Sequence, residues 1–350
     1  MKAHVGGCGG ATQTVYVKPV LKYLEPFPPK EDLLKENPDR FSLFPIKNPA
    51  VYEMYKQSLA CFWTADEIDM TQDLKDFRAM SKDEQHFVKH VLAFFASADG
   101  IVIENLVTTF CTEVQMPEAR QFYAFQAAME SIHAESYALM IDTLVDEDGE
   151  KQHLFSAINT MPAINKKAAW ALKWISSLKP FAERLIAFAI VEGVFFSGAF
   201  CSIFWLKKRG LCPGLSFANQ MISRDEGLHT DFACLLFRDH IKTKPTRKRI
   251  LEILLPAVEM ECEFVQSSLP VSLIGMNAES MTQYVRFVAD RLLVSLGQGK
   301  HFNEANPFSW MEMISMQGKT NFFEARVAEY AKSGCMASEA EKAFDMDAEF

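Results

Sequence analysis

Residues 123–141 read YAFQAAMESIHAESYALMI, and residues 218–237 read ANQMISRDEGLHTDFACLLF. Each stretch carries a Glu-x-x-His pair, Glu130 with His133 and Glu226 with His229, among apolar and aromatic side chains. Another carboxylate, Glu192, interrupts the very apolar LIAFAIVEGVFFSGAFCSIFWL at 185–206, and Asp99 interrupts VLAFFASADGIVIENL at 91–106. On a helix, residues three apart differ by about 60° in azimuth, so Glu and His at this spacing point the same way. An unpaired carboxylate in an apolar interior is costly, so such groups are neutralised, paired or bound to metal. Two Glu-x-x-His pairs with additional carboxylates are the donor arrangement of di-iron and di-manganese helix bundles.

The spacing alone is weak support. With Glu at roughly one residue in twelve, eight His give about one such match by chance. A third pair, Glu150 with His153, lies in DEDGEKQH at 146–153, reads as a solvated turn and is assigned no role. One core His satisfied by a hydrogen bond is ordinary; Asp99, Glu130, His133, Glu192, Glu226 and His229 all in apolar helices are not. Carboxylates with neutral imidazoles suit iron or manganese, whereas thiolate sets suit zinc or iron–sulfur clusters. Four carboxylates also cancel the charge of two divalent ions. Tyr137, four residues after His133 and seven after Glu130, shares their helix face. An apolar pocket there would protect a neutral tyrosyl radical from water and reductants. Phe196 and Phe200, four and eight residues after Glu192, and Ile222, four before Glu226, are expected to wall that pocket or simply to fill the core.

The chain has 350 residues, 49% of them hydrophobic, with 29 Phe, which is ample for a thick, dry core. A net charge of −9 argues against nucleic-acid binding, which needs a basic stripe. The eight Cys form no CxxC pair or dense framework, and MKAHVGGCGG at the start has no signal-like apolar stretch, so a reduced, cytoplasmic protein is expected. Residues 185–206 are long enough to span a bilayer, but Glu192 near their middle favours a buried bundle helix and no membrane.

The organisation expected is a Gly- and Pro-punctuated arm over 1–40, an all-α bundle over 41–325 and a flexible tail over 326–350. Capping-box signatures at Thr64–Glu67 and Ser81–Glu84 open helices, the second running from Lys82 towards Val114. Pro117 starts a helix to Val145, followed by the polar turn DEDGEK. Helical pattern resumes through the 150s and 160s, then over 179–208, 214–240, 248–268 and 278–296. No strand-rich alternation is seen.

At these residues the chain closely resembles the small, radical-generating subunit of class I ribonucleotide reductase, eukaryotic type. The resemblance runs from about Arg40 to Phe350. Besides the stretches above, its blocks are FWTADEID (62–69), LIGMN (273–277), GKTNFFE (318–324) and the terminal FDMDAEF (344–350). It implies a ferritin-like bundle with two iron ions per chain, Asp99, Glu130 and His133 holding one and Glu192, Glu226 and His229 the other, with bridging carboxylates. Manganese stays open as the alternative. It places the stable radical on Tyr137, which is Phe in radical-less variants. Trp63, Asp225 and, beside it, Arg224 match a path from His133 to the surface, and Tyr330 matches the tail residue that passes the radical to the large subunit. Phe344, Asp345, Met346, Asp347, Ala348, Glu349 and Phe350 would dock on that subunit, where ribonucleotides are reduced to deoxyribonucleotides. The chain itself has no Gly-rich phosphate loop. A homodimer is expected, since long apolar helices need covering. Among alternatives, a di-iron oxidase or desaturase would need neither Tyr137 nor the terminal peptide, and an iron-storage shell protein would be shorter. An idle paralogue serving as an assembly partner would not need the complete ligand set.

Overall fold

The computed structural model describes residues 2–6, 12–16, 31–175, 178–268, 276–308, 310 and 311; Tyr330 and residues 344–350, with the expected tail, lie outside the described residues. Thirteen α-helical segments make up most of it: α1 (Pro49–Ala60), α2 (Asp73–Ala79), α3 (Lys82–Asn105), α4 (Cys111–Glu113), α5 (Pro117–Leu144), α6 (Asp148–Phe155), α7 (Ala157–Thr160), α8 (Pro162–Ile175), α9 (Phe181–Ile190), α10 (Ser197–Lys208), α11 (Pro213–His240), α12 (Arg247–Ser268) and α13 (Ala278–Ser295). The sequence shows no strand pattern, yet β1 (Lys2–Gly6) pairs antiparallel with β2 (Thr12–Tyr16), Lys2 opposite Tyr16. Residues 31–40 of the expected arm lie against the bundle: Leu33 is buried and its carbonyl accepts the Gln115 N–H at 2.7 Å.

Helix starts follow from local chemistry. Ser81 Oγ accepts the Glu84 N–H while Glu84 Oε2 accepts the Ser81 N–H at 2.8 Å, closing a capping box at the head of α3. Pro lies at the start of α1, α5 and α11, where its missing N–H has no partner to lose. At Thr64 the expected helix is only the three-residue 3₁₀ turn Ala65–Glu67, although Glu67 does accept the Thr64 N–H. The chain then docks tightly on α11: a Cβ at Gly214 would lie 2.2 Å from the carbonyl oxygen of Asp69. The expected DEDGEK turn is also shorter, because α6 begins at Asp148 and the Lys89–Glu150 ion pair ties it to α3. Glu150 and His153 therefore sit in a helix, away from the buried cluster described below.

α3 and α5 pack along much of their length, and α11 crosses both α5 and the segment Phe181–Lys208. That segment and Lys82–Glu113 are, among the described residues, the two helices long and apolar enough to cross a membrane. Within the first of these, 94% of the most apolar window is buried inside the protein, which marks a core helix. Both are interrupted: π turns at Leu106–Phe110 and Val191–Phe195 separate α3 from α4 and α9 from α10. A buried bidentate pair, Arg184 to Glu113 at 2.6 and 2.5 Å, joins α9 to α4.

The head of α11 is held by a single buried carboxylate. Asp73 Oδ1 accepts the Gly214 N–H at 2.9 Å and Oδ2 the Leu215 N–H at 2.6 Å. Asp73→Ala strands two buried donors, so the stability measured by denaturant unfolding should fall by about 1–3 kcal/mol. An unchanged midpoint would show that the cap is dispensable.

Candidate metal centre

Four elements converge on one buried volume. α3 contributes Asp99, α5 contributes Glu130 and His133, the π turn Val191–Phe195 contributes Glu192, and α11 contributes Glu226 and His229. None of the six is more than 2% exposed. One group is formed by Asp99, Glu130 and His133, a second by Glu130, Glu192, Glu226 and His229; in each, one donor atom per residue lies within 4.8 Å of the others. The i,i+3 spacing on α5 and α11 does what geometry requires, aiming a carboxylate and an imidazole at the same point.

Both imidazoles present Nδ1 to the carboxylates. His133 Nδ1 lies 3.1 Å from Glu226 Oε1 and 3.5 Å from Glu130 Oε2. His229 Nδ1 lies 3.1 Å from Glu226 Oε2, 3.0 Å from Glu130 Oε1 and 3.8 Å from Glu192 Oε2. Glu130 and Glu226 thus stand between the two rings, each within reach of both. The far nitrogen of His133 is fixed: Nε2 sits 3.2 Å from Asp225 Oδ2, which also accepts the Trp63 indole N–H at 2.7 Å. Arg224 donates to Asp225 Oδ1 at 2.9 Å and to the Cys61 carbonyl at 2.6 Å. The Trp63 ring stacks on His133 at 5.9 Å and 20°.

The electrostatics show a cluster with too much negative charge for its surroundings. Burial, then the Glu130 charge, pushes the Asp99 carboxyl well above its ordinary range; burial, then Glu226 and Glu130, does the same to Glu192. Burial alone would lower the imidazoles, but the hydrogen bond to Asp225 for His133, and that to Glu130 for His229, lift them well above normal. Burial would also raise Glu226, yet hydrogen bonds from Glu192, His133 and His229 hold it below. In effect, protons take up positions that positive ions would fill. Asp99 Oδ2, both oxygens of Glu130 and Glu192 Oε2 have no well-formed hydrogen bond among the described residues. Buried carboxylate oxygens that share two imidazoles and lack well-formed hydrogen bonds of their own, in a set of four carboxylates, fit two divalent ions of the iron or manganese type.

Tyr137 lies on α5, 1% exposed, with no hydrogen-bond partner for its hydroxyl among the described residues. Its ring stacks on Phe95 at 4.4 Å, the two planes nearly parallel, and Phe95 in turn meets Phe200 at 4.9 Å and Phe196 at 5.8 Å. Phe196, Phe200 and Ile222 are buried. The π turn intervenes after Glu192, however, so the four-residue step to Phe196 is not an α-helical one. Two neighbours escaped the sequence reading. Phe95, four residues before Asp99, is the ring against Tyr137, and Gln126, four before Glu130, donates to Glu192 Oε1 at 3.1 Å. In both, the i−4 spacing from a ligand candidate was the available signal.

Carboxylates and imidazoles projecting inward from four helices are the architecture of the dinuclear carboxylate helix bundles. A family model described as ribonucleotide reductase, small chain, matches residues 40–307. The chain is 58% identical over 322 residues to the ribonucleoside-diphosphate reductase small chain of Trypanosoma brucei brucei, covering 92% of this chain and 96% of that one. It is 56% identical over 313 residues to the ribonucleoside-diphosphate reductase small chain of Nicotiana tabacum, covering 89% and 95%. The solved ribonucleotide reductase Rnr4 homodimer from Saccharomyces cerevisiae matches with a TM-score of 0.75 at 41% identity, over 86% of this chain and 93% of that one. The protein belongs to the ribonucleotide reductase small-chain family, in its eukaryotic form. Its function is that of the small subunit of ribonucleoside-diphosphate reductase, an oxidoreductase; an oxidase, desaturase or iron-storage role is not favoured.

Because Asp99, Glu192, His133 and His229 all hold protons more tightly than usual, loading must displace them. Ferrous or manganous ion added to the metal-free chain near neutral pH should release protons, measurable with an indicator dye in weak buffer, and affinity should fall as pH falls. Uptake without proton release, at an affinity independent of pH, would contradict this electrostatic account.

Proposed function

We propose that the cluster holds two iron ions per chain, Asp99, Glu130 and His133 at one and Glu192, Glu226 and His229 at the other. Glu130 and Glu226, each close to both imidazoles, are the carboxylates able to serve both ions. Manganese would suit the same donors. Bound there, iron would supply the reaction with dioxygen that oxidises Tyr137 by one electron. The observation that carries this reading is the Tyr137 phenol itself, buried beside the cluster, unpartnered among the described residues and stacked on Phe95.

Burial, then the nearby Asp99 charge, raises the Tyr137 phenol well above its ordinary value, so it stays protonated until it is oxidised. On oxidation the proton needs a local acceptor, and Asp99, freed of its own proton once metal is bound and the charge that acts most strongly on the phenol, could take it. The apolar wall of Phe95, Phe196, Phe200 and Ile222 keeps water and reductants from the resulting radical. A cavity of about 160 Å³ adjoins Glu192 and Glu226 and gives a small molecule room beside the cluster. The chain His133, Asp225, Trp63, unbroken at 3.2 and 2.7 Å, would carry electrons and protons between cluster and surface, with Arg224 holding Asp225 ionised. Beyond it, Tyr330 would continue the path to a separate large subunit, where nucleotides are reduced. The working unit is a homodimer in the cytoplasm, without nucleic acid or membrane.

Tyr137→Phe removes one oxygen from an apolar pocket, so fold and metal content should persist. The tyrosyl signal in electron paramagnetic resonance and the reductase activity should vanish. An unchanged tyrosyl signal after exposure to iron and oxygen would exclude Tyr137 as the radical site.

Residues 344–350 place Phe344 and Phe350 at either end of an acidic stretch, and aromatic anchors of this kind dominate peptide recognition. Their deletion should leave the Tyr137 signal intact yet abolish turnover with the large subunit, and a synthetic FDMDAEF peptide should compete with the full chain. Normal assembly and turnover of the truncated chain would place docking elsewhere.

A further inference from the structure

Just beyond the cluster lies a second buried charge pair. Lys167 on α8 and Glu261 on α12 are 1% and 0% exposed, with Nζ 2.6 Å from Oε2. Buried ion pairs add little net stability, because desolvating both charges offsets their attraction. The pair's other contacts are more informative. Lys167 Nζ donates to the carbonyl of Phe195 at 2.7 Å, at the last residue of the π turn. Glu261 Oε1 accepts the Gly198 N–H at 3.1 Å, in the first turn of α10. Between them, Ser197 Oγ donates to the Val194 carbonyl at 2.7 Å. Side chains thus satisfy backbone groups at the junction between π turn and α-helix, where the regular ladder is broken.

The fit is close. The Lys167 ammonium lies 3.3 Å from the centre of the Phe94 ring and 4.1 Å from that of Phe264. A Cβ at Gly198 would come within 2.4 Å of Val265 Cγ1 and 2.6 Å of Glu261 Oε1, so glycine is what lets the carboxylate reach the backbone. A π turn holds one residue more than the α turn it replaces. Its loss would rotate one flank against the other by roughly 100°. Glu192 sits inside the turn and Phe196 and Phe200 beyond it, so a change of register would carry either the carboxylate or the aromatic wall out of place.

We propose that the Lys167–Glu261 pair is a positioning element that pins the π turn Val191–Phe195 in register and thereby fixes Glu192 for the ion it shares with Glu226 and His229. The inference rests on the two-ion reading above. Two variants of the full, metal-free chain separate pinning from ordinary packing. Lys167→Met combined with Glu261→Leu removes both charges at similar volume, so the chain should still fold cooperatively, its thermal midpoint lowered only by the two backbone groups left unpaired. Glu261→Gln keeps an acceptor for the Gly198 N–H and leaves the Lys167 donation to the Phe195 carbonyl in place.

Amide exchange over residues 191–200 and calorimetric titration with manganous ion are the readouts. The double variant should exchange about tenfold faster in that segment alone, and should take up one ion where the unaltered chain takes two. Glu261→Gln should retain both the protection and the second ion. Unaltered exchange with two ions in the double variant, or equal losses in Glu261→Gln, would overturn the proposal. Should the double variant not fold, Glu261→Leu compared with Glu261→Gln gives the same contrast. An unaltered chain that binds fewer than two ions would contradict the two-ion reading instead, and the exchange comparison would still decide the pinning.

Discussion

Four carboxylates in the buried centre of a helix bundle set the terms for everything around them. Removed from water, each costs several kcal/mol as an anion unless a positive partner is close. Asp99, Glu130, Glu192 and Glu226 have between them only two imidazoles, which cannot balance four charges even when both are protonated. The raised Asp99 and Glu192 and the raised His133 and His229 are one fact seen from two sides, a cluster short of positive charge. Asp225 stands apart, since Arg224 beside it answers its charge and lets it remain an anion between His133 and Trp63. In the proposed reading, that separation leaves one carboxylate to organise the path outward and four to hold metal.

The backbone serves the same end. A straight, fully laddered helix through residues 181–208 would bury its apolar surface equally well, and the π turn at Val191–Phe195 is where it departs from that. The departure puts Glu192 in the core beside Glu226 while Phe196 and Phe200 still meet Phe95. Ion pairs in the interior are placed to hold such breaks, Arg184–Glu113 tying α9 to α4 and Lys167–Glu261 clasping the junction with α10. Their worth lies in geometry more than in net stability.

Much of this was legible in the sequence, because it is local. Ser81, through its capping box, and Pro117, in the first turn, fix the starts of α3 and α5 with neighbouring residues alone, and those helices begin where expected; α13 also begins where expected, behind an Asn277 cap that the sequence reading did not use. The six donors stood out because charge in an apolar run is improbable without a reason. What the sequence hid depends on distant partners. Neither LVTTF nor VEGVF signals a π turn, and the second is sustained by Lys167 and Glu261 from other helices. Lys167 itself, in NKKAAWALKW, looks like a solvent-facing lysine until α12 brings Glu261 to it. Thr64 carries a genuine capping box, yet the close docking of Asp69 on Gly214 ends its helix after a single turn. The pairing of β1 with β2 had no signal in the alternation of side chains.

In the proposed reading the buried cluster holds two metal ions side by side. Anomalous diffraction at the iron edge, from crystals of the iron-loaded chain, tests it most directly. The account predicts two peaks about 3.5–4 Å apart, one against Asp99, Glu130 and His133 and the other against Glu192, Glu226 and His229. A single peak, or peaks away from these six residues while the cluster stays metal-free, would contradict it.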